Sequence, residues 1–427
     1  MVANSEEPFR VAIVGGGIGG LFCALAIHHH CKFANINIDV YEQASQYKEI
    51  GAGVGLGINA AKLVHRVGLG DELNSLAGNR YGIWITFRKY YDGNEIFTIP
   101  LVDQGDVRTA SCARTDLLDV LRVGVESRQA ATLHTKKACS GVEEVENGVR
   151  IHFADRTSTF ANVVIGCDGI HSAVRNQFIA DKPRYSGQYA YRAVIPVSTL
   201  PSPWPFPSYS VAWCAKHKHM LVFPISRNEQ LNIVAFVTAS EESVADVKES
   251  WTSVCDKKDV ENDFAGFEEN VQAIIRQMPD KPSKWRLNHR EPLDRWHYLN
   301  GRAILLGDAA HAMLPHLGAG AGQSLEDGWV LGRALAEYLR QAPGMETLEN
   351  CAQHYQDVRL PRAQKVQRTS RVAGDTYEMQ TEDMISKSYE ECVPMMAERT
   401  RERMKWVWED DLDKAYETMR NSVNGDK

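Results

Sequence analysis

At 427 residues the chain is long enough for more than one hydrophobic core, and two or three domains are expected. A formal net charge of −7 argues against a general nucleic-acid surface, and no run of roughly 18 apolar residues exists to form a membrane span. Nine cysteines, scattered singly and without a C-x-x-C pair, read as reduced and mostly buried thiols, as in a cytoplasmic protein.

The first residues lack a basic-then-apolar pattern, so no secretory leader is expected. Val11 to Val14 reads as a short buried strand that runs into Gly15-Gly16-Gly17-Ile18-Gly19-Gly20 and then an apolar helix from Leu21. Gly15, Gly17 and Gly20 form a G-x-G-x-x-G. Gly15 suits a tight turn, Gly17 lets backbone approach a pyrophosphate, and Gly20 lets helix pack on strand. A helix N-terminus favours an anion there. A second strand, Ile36 to Tyr41, ends at Glu42, about 20 residues on, where a carboxylate takes ribose hydroxyls. Together these features indicate a dinucleotide site.

Glu49 to Asn59 carries alternating glycines and reads as a loop laid along an extended cofactor, with Asn59 capping the next helix. Alternation over residues 81–100 predicts strands of a second sheet, and Thr115 or Asp116 is expected to cap a helix that opens after Arg114. Strands over 139–166 end at Val163-Val164-Ile165, and Cys167-Asp168-Gly169 follows as a second ligand-facing corner. From Gly187 to Phe236 strands with aromatic residues suggest an antiparallel sheet, interrupted by an irregular crossing at Pro201, Pro203, Pro205 and Pro207. Helices are expected between Glu241 and Met278. The early style then returns, as Ala303-Ile304-Leu305-Leu306 leads into Gly307-Asp308, and Gly318-Ala319-Gly320-Ala321-Gly322 starts a long helix through Tyr338. The last fifty residues read as charged helices, a cover or an oligomer contact, a homodimer among the options.

The three corners, with Pro315-His316 before the third glycine run, resemble the single-component FAD-dependent aromatic hydroxylases over residues 8 to 375. The resemblance implies an α/β fold: a Rossmann-like FAD-binding domain from 1–80, 110–180 and 300–375, an antiparallel-sheet substrate domain from 81–109 and 181–299, and a C-terminal helical segment, 376–427. It also implies FAD on the Gly15, Gly17 and Gly20 motif, ribose on Glu42, and cofactor contacts from Arg114, Asp168, Gly169 and Asp308. Gly318, Gly320, Ala321 and Gly322 would face the flavin ring. With a single nucleotide motif, NADH or NADPH would visit only transiently as co-substrate.

Within that family the chain is similar to salicylate hydroxylases at Tyr185 to Arg192, His316 to Gln323, Leu325 to Asp327 and Trp406 to Asp413. A fungal dearomatising group shares Arg192 and His219 but carries tyrosine in place of Phe223 and lacks an equivalent of Gly322-Gln323. One departure runs the other way: Ser240 stands where a substrate-binding arginine is expected. Halogenases are disfavoured because their tryptophan-x-tryptophan-x-isoleucine-proline signature is missing.

In this family the oxidant is an electrophilic flavin hydroperoxide, so the ring must be electron-rich, usually a phenolate, and the pocket needs a base or cation near the phenol oxygen. Arg192, His219 and His316 are the catalytic candidates, and with Phe223 they are the expected contacts to a small phenolic substrate that reacts with O2. Arg192 would fork onto a carboxylate or phenolate, while His219 or His316 would accept the phenol proton. The bland alternatives are an interdomain ion pair for Arg192 and a satisfied strand residue for His219. His311 reads as structural, and His28-His29-His30 lacks the partners of a metal site. The reaction implied is decarboxylative hydroxylation of salicylate to catechol. Ring hydroxylation or dearomatisation of another phenol is the enzymatic alternative, and a non-redox nucleotide-binding module is the alternative from another class.

Overall fold

The computed structural model describes residues 7–47, 53–78, 81–244 and 253–425, so Glu49 to Ala52 of the glycine-rich loop lie outside the described residues. Its central strand, Phe9–Val14, is buried along Val11 to Val14 because both faces of its sheet are covered. That sheet runs in the order His297–Tyr298, Ala303–Leu305, Val163–Gly166, Phe9–Val14, Ile36–Tyr41, Thr132–His134. Every pairing is parallel except the edge pair His297–Tyr298 with Ala303–Leu305. The C-terminal ends of the strands therefore open together onto the three corners read from the sequence.

The helix Ile18–His30 is apolar nearly all round, and Ile18, then Gly20 through Ile27, are buried. It is buried on its far side by the helix Gly320–Leu339, which approaches closely at two small residues. A Cβ on Gly328 would stand 3.0 Å from Cys23 Cα, and one on Gly332 would stand 3.0 Å from Ala26.

The second sheet has seven strands, ordered Ser283–His289, Arg184–Pro196, Gln230–Thr238, Lys218–Ile225, Val211–Ala215, Ile83–Lys89, Glu95–Pro100. It departs from a purely antiparallel sheet at one place. Val211–Ala215 runs parallel to Ile83–Lys89, since the chain joins them by the long route through the first sheet. One face packs Tyr189, Tyr191, Trp213 and Ile233 under the helices Lys257–Asp263 and Glu269–Gln277. The other packs Ala190, Val234, Phe236, Trp285 and Leu287 against Leu314, which precedes the short turn Pro315–Leu317. This alternation is the period of two expected of a sheet buried on both sides by different partners.

Two expected caps fall elsewhere. The helix Ile58–Arg66 begins after Gly57, and Asn59 instead donates to Glu326 Oε1 at 2.7 Å. The helix Arg114–Ser127 begins after Ala113, without a side-chain cap from Thr115 or Asp116. The C-terminal segment folds back on the rest of the chain. The long helix Leu348–Tyr377 opens with a capping box between Thr347 and Asn350, and the helices Tyr389–Arg401, Lys405–Glu409 and Leu412–Gly425 follow. Trp408 is buried edge-on to Trp84 at 5.6 Å, and Asp413 accepts from Trp329 Nε1 at 3.1 Å.

Candidate functional site

The three glycines of the first corner do different work. A Cβ on Gly15, where φ is +106°, would overlap the Cys167 carbonyl, and one on Gly20 would overlap the Gly15 carbonyl oxygen. These two positions hold turn, strand and helix together. A Cβ on Gly17 would meet nothing within 4 Å. Gly17 caps the helix Ile18–His30, which has no side-chain cap and no acid in its first turn. Its free amides and open approach fit a dinucleotide pyrophosphate. Glu42 accepts from Gly16 N at 2.7 Å and Ala44 N at 2.8 Å, which fixes the carboxylate beside the turn. Arg114 is half-buried at the start of its helix.

At the second corner Asp168 turns inward. It accepts from Ser172 Oγ at 2.5 Å, Ala173 N at 2.6 Å and Val174 N at 3.2 Å, capping the short helix Ala173–Asn176. Burial raises its pKa against the pull of those hydrogen bonds. Gly169 takes φ +77°, with open space where a Cβ would be. The corner is braced to the third by two buried arginines. Arg175 binds Asp181 and donates to the Ala309 carbonyl at 3.0 Å, and Arg290 binds Asp181 at 2.7 Å.

The third corner presents Asp308, exposed at the start of the turn Asp308–His311, after Gly307 at φ +63°. Gly318 closes the following turn at φ +61°, again with open space at its Cβ position, and Gly320 and Ala321 begin the long helix without a side-chain cap. Gly322 packs inward, since a Cβ there would lie 3.2 Å from Ala60 Cβ. Behind this helix start His311 Nε2 lies 2.6 Å from Asp327 Oδ2, and Arg359 binds Asp327 at 2.8 Å and Glu326 at 2.6 Å. His311 is thus part of a buried ionic cluster that holds the helix from below. His29 and His30 pack on the Trp329 ring at 5.4 and 4.3 Å.

Arg192, His219 and Phe223 lie on one face of the second sheet. Register pairs Arg192 with Val234 and Val234 in turn with Leu221 on the next strand, His219 with Phe236, and Phe223 with Asn232. With strands spaced about 4.8 Å and two residues rising about 6.8 Å, the Arg192 and His219 backbones stand roughly 12 Å apart, within joint reach of a small aromatic acid. His219 is buried, stacked on Phe236 at 4.4 Å, and its ring lies 5.5 Å from that of His316. Arg192 extends its guanidinium 5.2 Å from the Trp285 ring. Phe223 is covered by the glycine-rich strand Gly53–Leu56, whose Gly53 N donates to Asn232 Oδ1 at 2.9 Å. Ser240 is exposed in a turn and supplies no cation to this face.

His316 Nε2 pairs with Gln188 Oε1 at 2.8 Å, which makes Nε2 the protonated nitrogen, and its buried Nδ1 has no partner. Burial, and then the neighbouring His219, push its pKa well below the ordinary histidine value. His316 is therefore a neutral imidazole with an unused acceptor. His219 differs: its Nδ1 lies 2.9 Å from the buried Glu378 Oε1.

Gln188, Gly374 and Glu378 are absent from the sequence reading. A Cβ on Gly374 would fall 2.5 Å from the His316 ring, so this glycine makes room for it. Glu378 sits 159 residues from His219, at the end of a charged helix, and no local pattern connects the two.

The FAD binding domain family matches residues 9–370. The chain is 34% identical over 368 residues to a 6-hydroxynicotinate 3-monooxygenase of Bordetella bronchiseptica, covering 84% of this chain and 90% of that one. It is 33% identical over 388 residues to a 3-amino-4-hydroxybenzoate 2-monooxygenase of Streptomyces platensis, covering 89% and 91%. A solved salicylate hydroxylase substrate complex superposes with a TM-score of 0.80 at 29% identity, over 97% of this chain and 98% of that one.

Proposed function

Because the chain belongs to the FAD binding domain family and, within it, to the FAD-dependent aromatic monooxygenases, we propose that it hydroxylates a phenolic aromatic acid using NADH or NADPH and O2, with decarboxylation of salicylate to catechol as the specific reaction. The observation that carries the reading is one sheet face bearing a cation, Arg192, and an imidazole, His219, among apolar residues, with a second imidazole, His316 of the turn Pro315–Leu317, packed against it. FAD, reduced by the nicotinamide nucleotide, supplies activated oxygen when bound. Gly15, Gly17, Gly20, Glu42, Arg114, Asp168, Gly169, Asp308, Gly318, Gly320, Ala321 and Gly322 are the residues proposed to hold it.

The chain's own part is to bind, orient and ionise the substrate. Arg192 forks onto the carboxylate and turns the carbon that bears it toward the oxidant. His219 takes the phenol proton, and the phenolate pushes electron density onto that carbon so that it can form a bond to the supplied oxygen. The bond to the carboxylate then breaks, its electron pair returns to the ring, and carbon dioxide leaves as aromaticity returns. His316, held neutral, accepts a hydrogen bond at Nδ1 without competing for the proton. Phe223 and Phe236 exclude water from the ring.

A second reading is supported by the names of the relatives. Carbon 3 of 6-hydroxynicotinate bears its carboxylate, whereas carbon 2 of 3-amino-4-hydroxybenzoate does not. Relatives of like identity are thus named for both outcomes, and hydroxylation without loss of carbon dioxide is the alternative. Salicylate-dependent carbon dioxide release, measured with NADH loss and hydrogen peroxide, tests the choice. Release matching NADH loss supports decarboxylation, while hydroxylated acid without carbon dioxide supports the alternative.

A further inference from the structure

We propose that Glu378 is the positioning residue for His219: its buried carboxylate fixes the proton on Nδ1, holds the ring against Phe236, and leaves Nε2 to take a proton from the substrate. The proposal rests on the reading that a phenol binds on this sheet face.

Glu378 is fully buried, and its carboxylate has two partners, His219 Nδ1 at 2.9 Å and the Thr238 hydroxyl. Among the described residues no lysine or arginine pairs with it. A buried carboxylate hydrogen-bonded to one ring nitrogen of a histidine fixes which nitrogen carries the proton and how the ring is turned. Glu378 is also fixed through its backbone, since its carbonyl accepts from His217 N at 2.9 Å and Gln380 Nε2 at 2.9 Å. The end of the long helix is therefore bound to the strand that carries His219, and the carboxylate cannot swing away.

The other titratable groups facing His219 are His316 at 5.5 Å, Tyr377 at 5.6 Å and Cys214, its partner on the adjoining strand. Tyr185 and Asp375 act on Glu378 from farther off. Burial raises the pKa of Tyr377 and Cys214 and lowers that of His316, so all three stay neutral near pH 7. Glu378 is left as the charge that His219 feels most directly. In the proton transfer the phenol O–H bond breaks, an N–H bond forms at His219 Nε2, and the imidazolium lies between phenolate and carboxylate.

The test uses the FAD-loaded protein with 4-nitrophenol and 5-nitrosalicylate, whose ionised forms absorb visible light. Glu378→Gln keeps the side-chain shape and removes the charge. It should raise the apparent pKa of the bound nitrophenol by about 1–2 units. Substrate-dependent NADH oxidation should fall on the order of 100-fold at neutral pH and recover as pH rises, with KM little changed. Thr238→Val, which removes the second partner, should shift both quantities in the same direction by less. It decides the matter if Glu378→Gln does not fold. Bound-ligand pKa and pH profile unmoved in the folded variants would overturn the proposal. Wild type that binds neither nitrophenol and answers to no phenol would instead defeat the reading of function.

Discussion

Gly374→Ala separates the placing of His316 from the stability of the fold. The new Cβ would lie 2.5 Å from both Cδ2 and Nε2 of that ring, whereas ordinary contact begins near 3.4 Å, so the ring must retreat by about 1 Å. That movement breaks the 2.8 Å bond from Nε2 to Gln188 and shifts the ring from its place 5.5 Å from that of His219. Overpacking costs about 1–3 kcal/mol and the lost hydrogen bond about 1 kcal/mol, offset by about 1 kcal/mol of helix propensity gained over glycine. The net loss, about 1–3 kcal/mol, lowers the melting temperature by a few degrees and leaves the protein folded. A 1 Å error in a positioned group costs on the order of 100-fold in turnover. The assay is phenol-stimulated NADH oxidation beside flavin content per chain. Near-normal flavin with a large loss of stimulated rate is expected. Wild-type kinetics in Gly374→Ala would refute the placing of His316 in the site.

Other perturbations test other parts. Gly17→Ala should melt like wild type, because its Cβ meets nothing, yet hold FAD about 10–100-fold less tightly, whereas Gly20→Ala should lose flavin and fold together. Flavin absorbance and melting curves distinguish the two. Burial alone would raise Glu326 and Asp327, but Arg359 with Arg362, and His311 with Arg359, hold them below the ordinary carboxylate values of 4.5 and 3.8. Their stabilisation is therefore present above those values and lost as pH falls through the lower folded ones. Asp327→Asn should destabilise the protein by about 3–5 kcal/mol at pH 7 and flatten the acid limb of unfolding. Burial depresses His30 and His354 to about 4, so protons bind the unfolded chain first as pH falls below 6.5. Stability should fall by about 1.4 kcal/mol per pH unit for each between pH 6 and 4.5, and His354→Gln should reduce that slope.

Much of the nucleotide half was legible because its signals are local. Gly15, Gly17 and Gly20 sit in one turn, and Val163 to Gly169 carries strand, glycine and acid in sequence. The caps were less legible. Asn59 has the chemistry of an N-cap, but the buried Glu326 captures its amide from 267 residues away. The second sheet was legible as strands, and its parallel pair was not, since partners 125 residues apart leave no mark on alternation. The same holds for the candidate site. Arg192 and His219 stand out as polar residues in apolar strands. Glu378 ends a charged helix, and Gln188 and Gly374 have no distinguishing neighbours. Glu378 and Gly374 matter through contacts made only when the long helix docks, and Gln188 through one made when the turn Pro315–Leu317 packs on the sheet.

The most direct test of the central claim uses oxygen-18 gas. FAD-loaded protein, salicylate and NADH react in its presence, and the hydroxylated product is weighed by mass spectrometry. The account predicts catechol carrying a single atom of oxygen-18 in an amount matching the NADH consumed. A product free of the label, or NADH oxidation to hydrogen peroxide alone with every phenol tried, would contradict it.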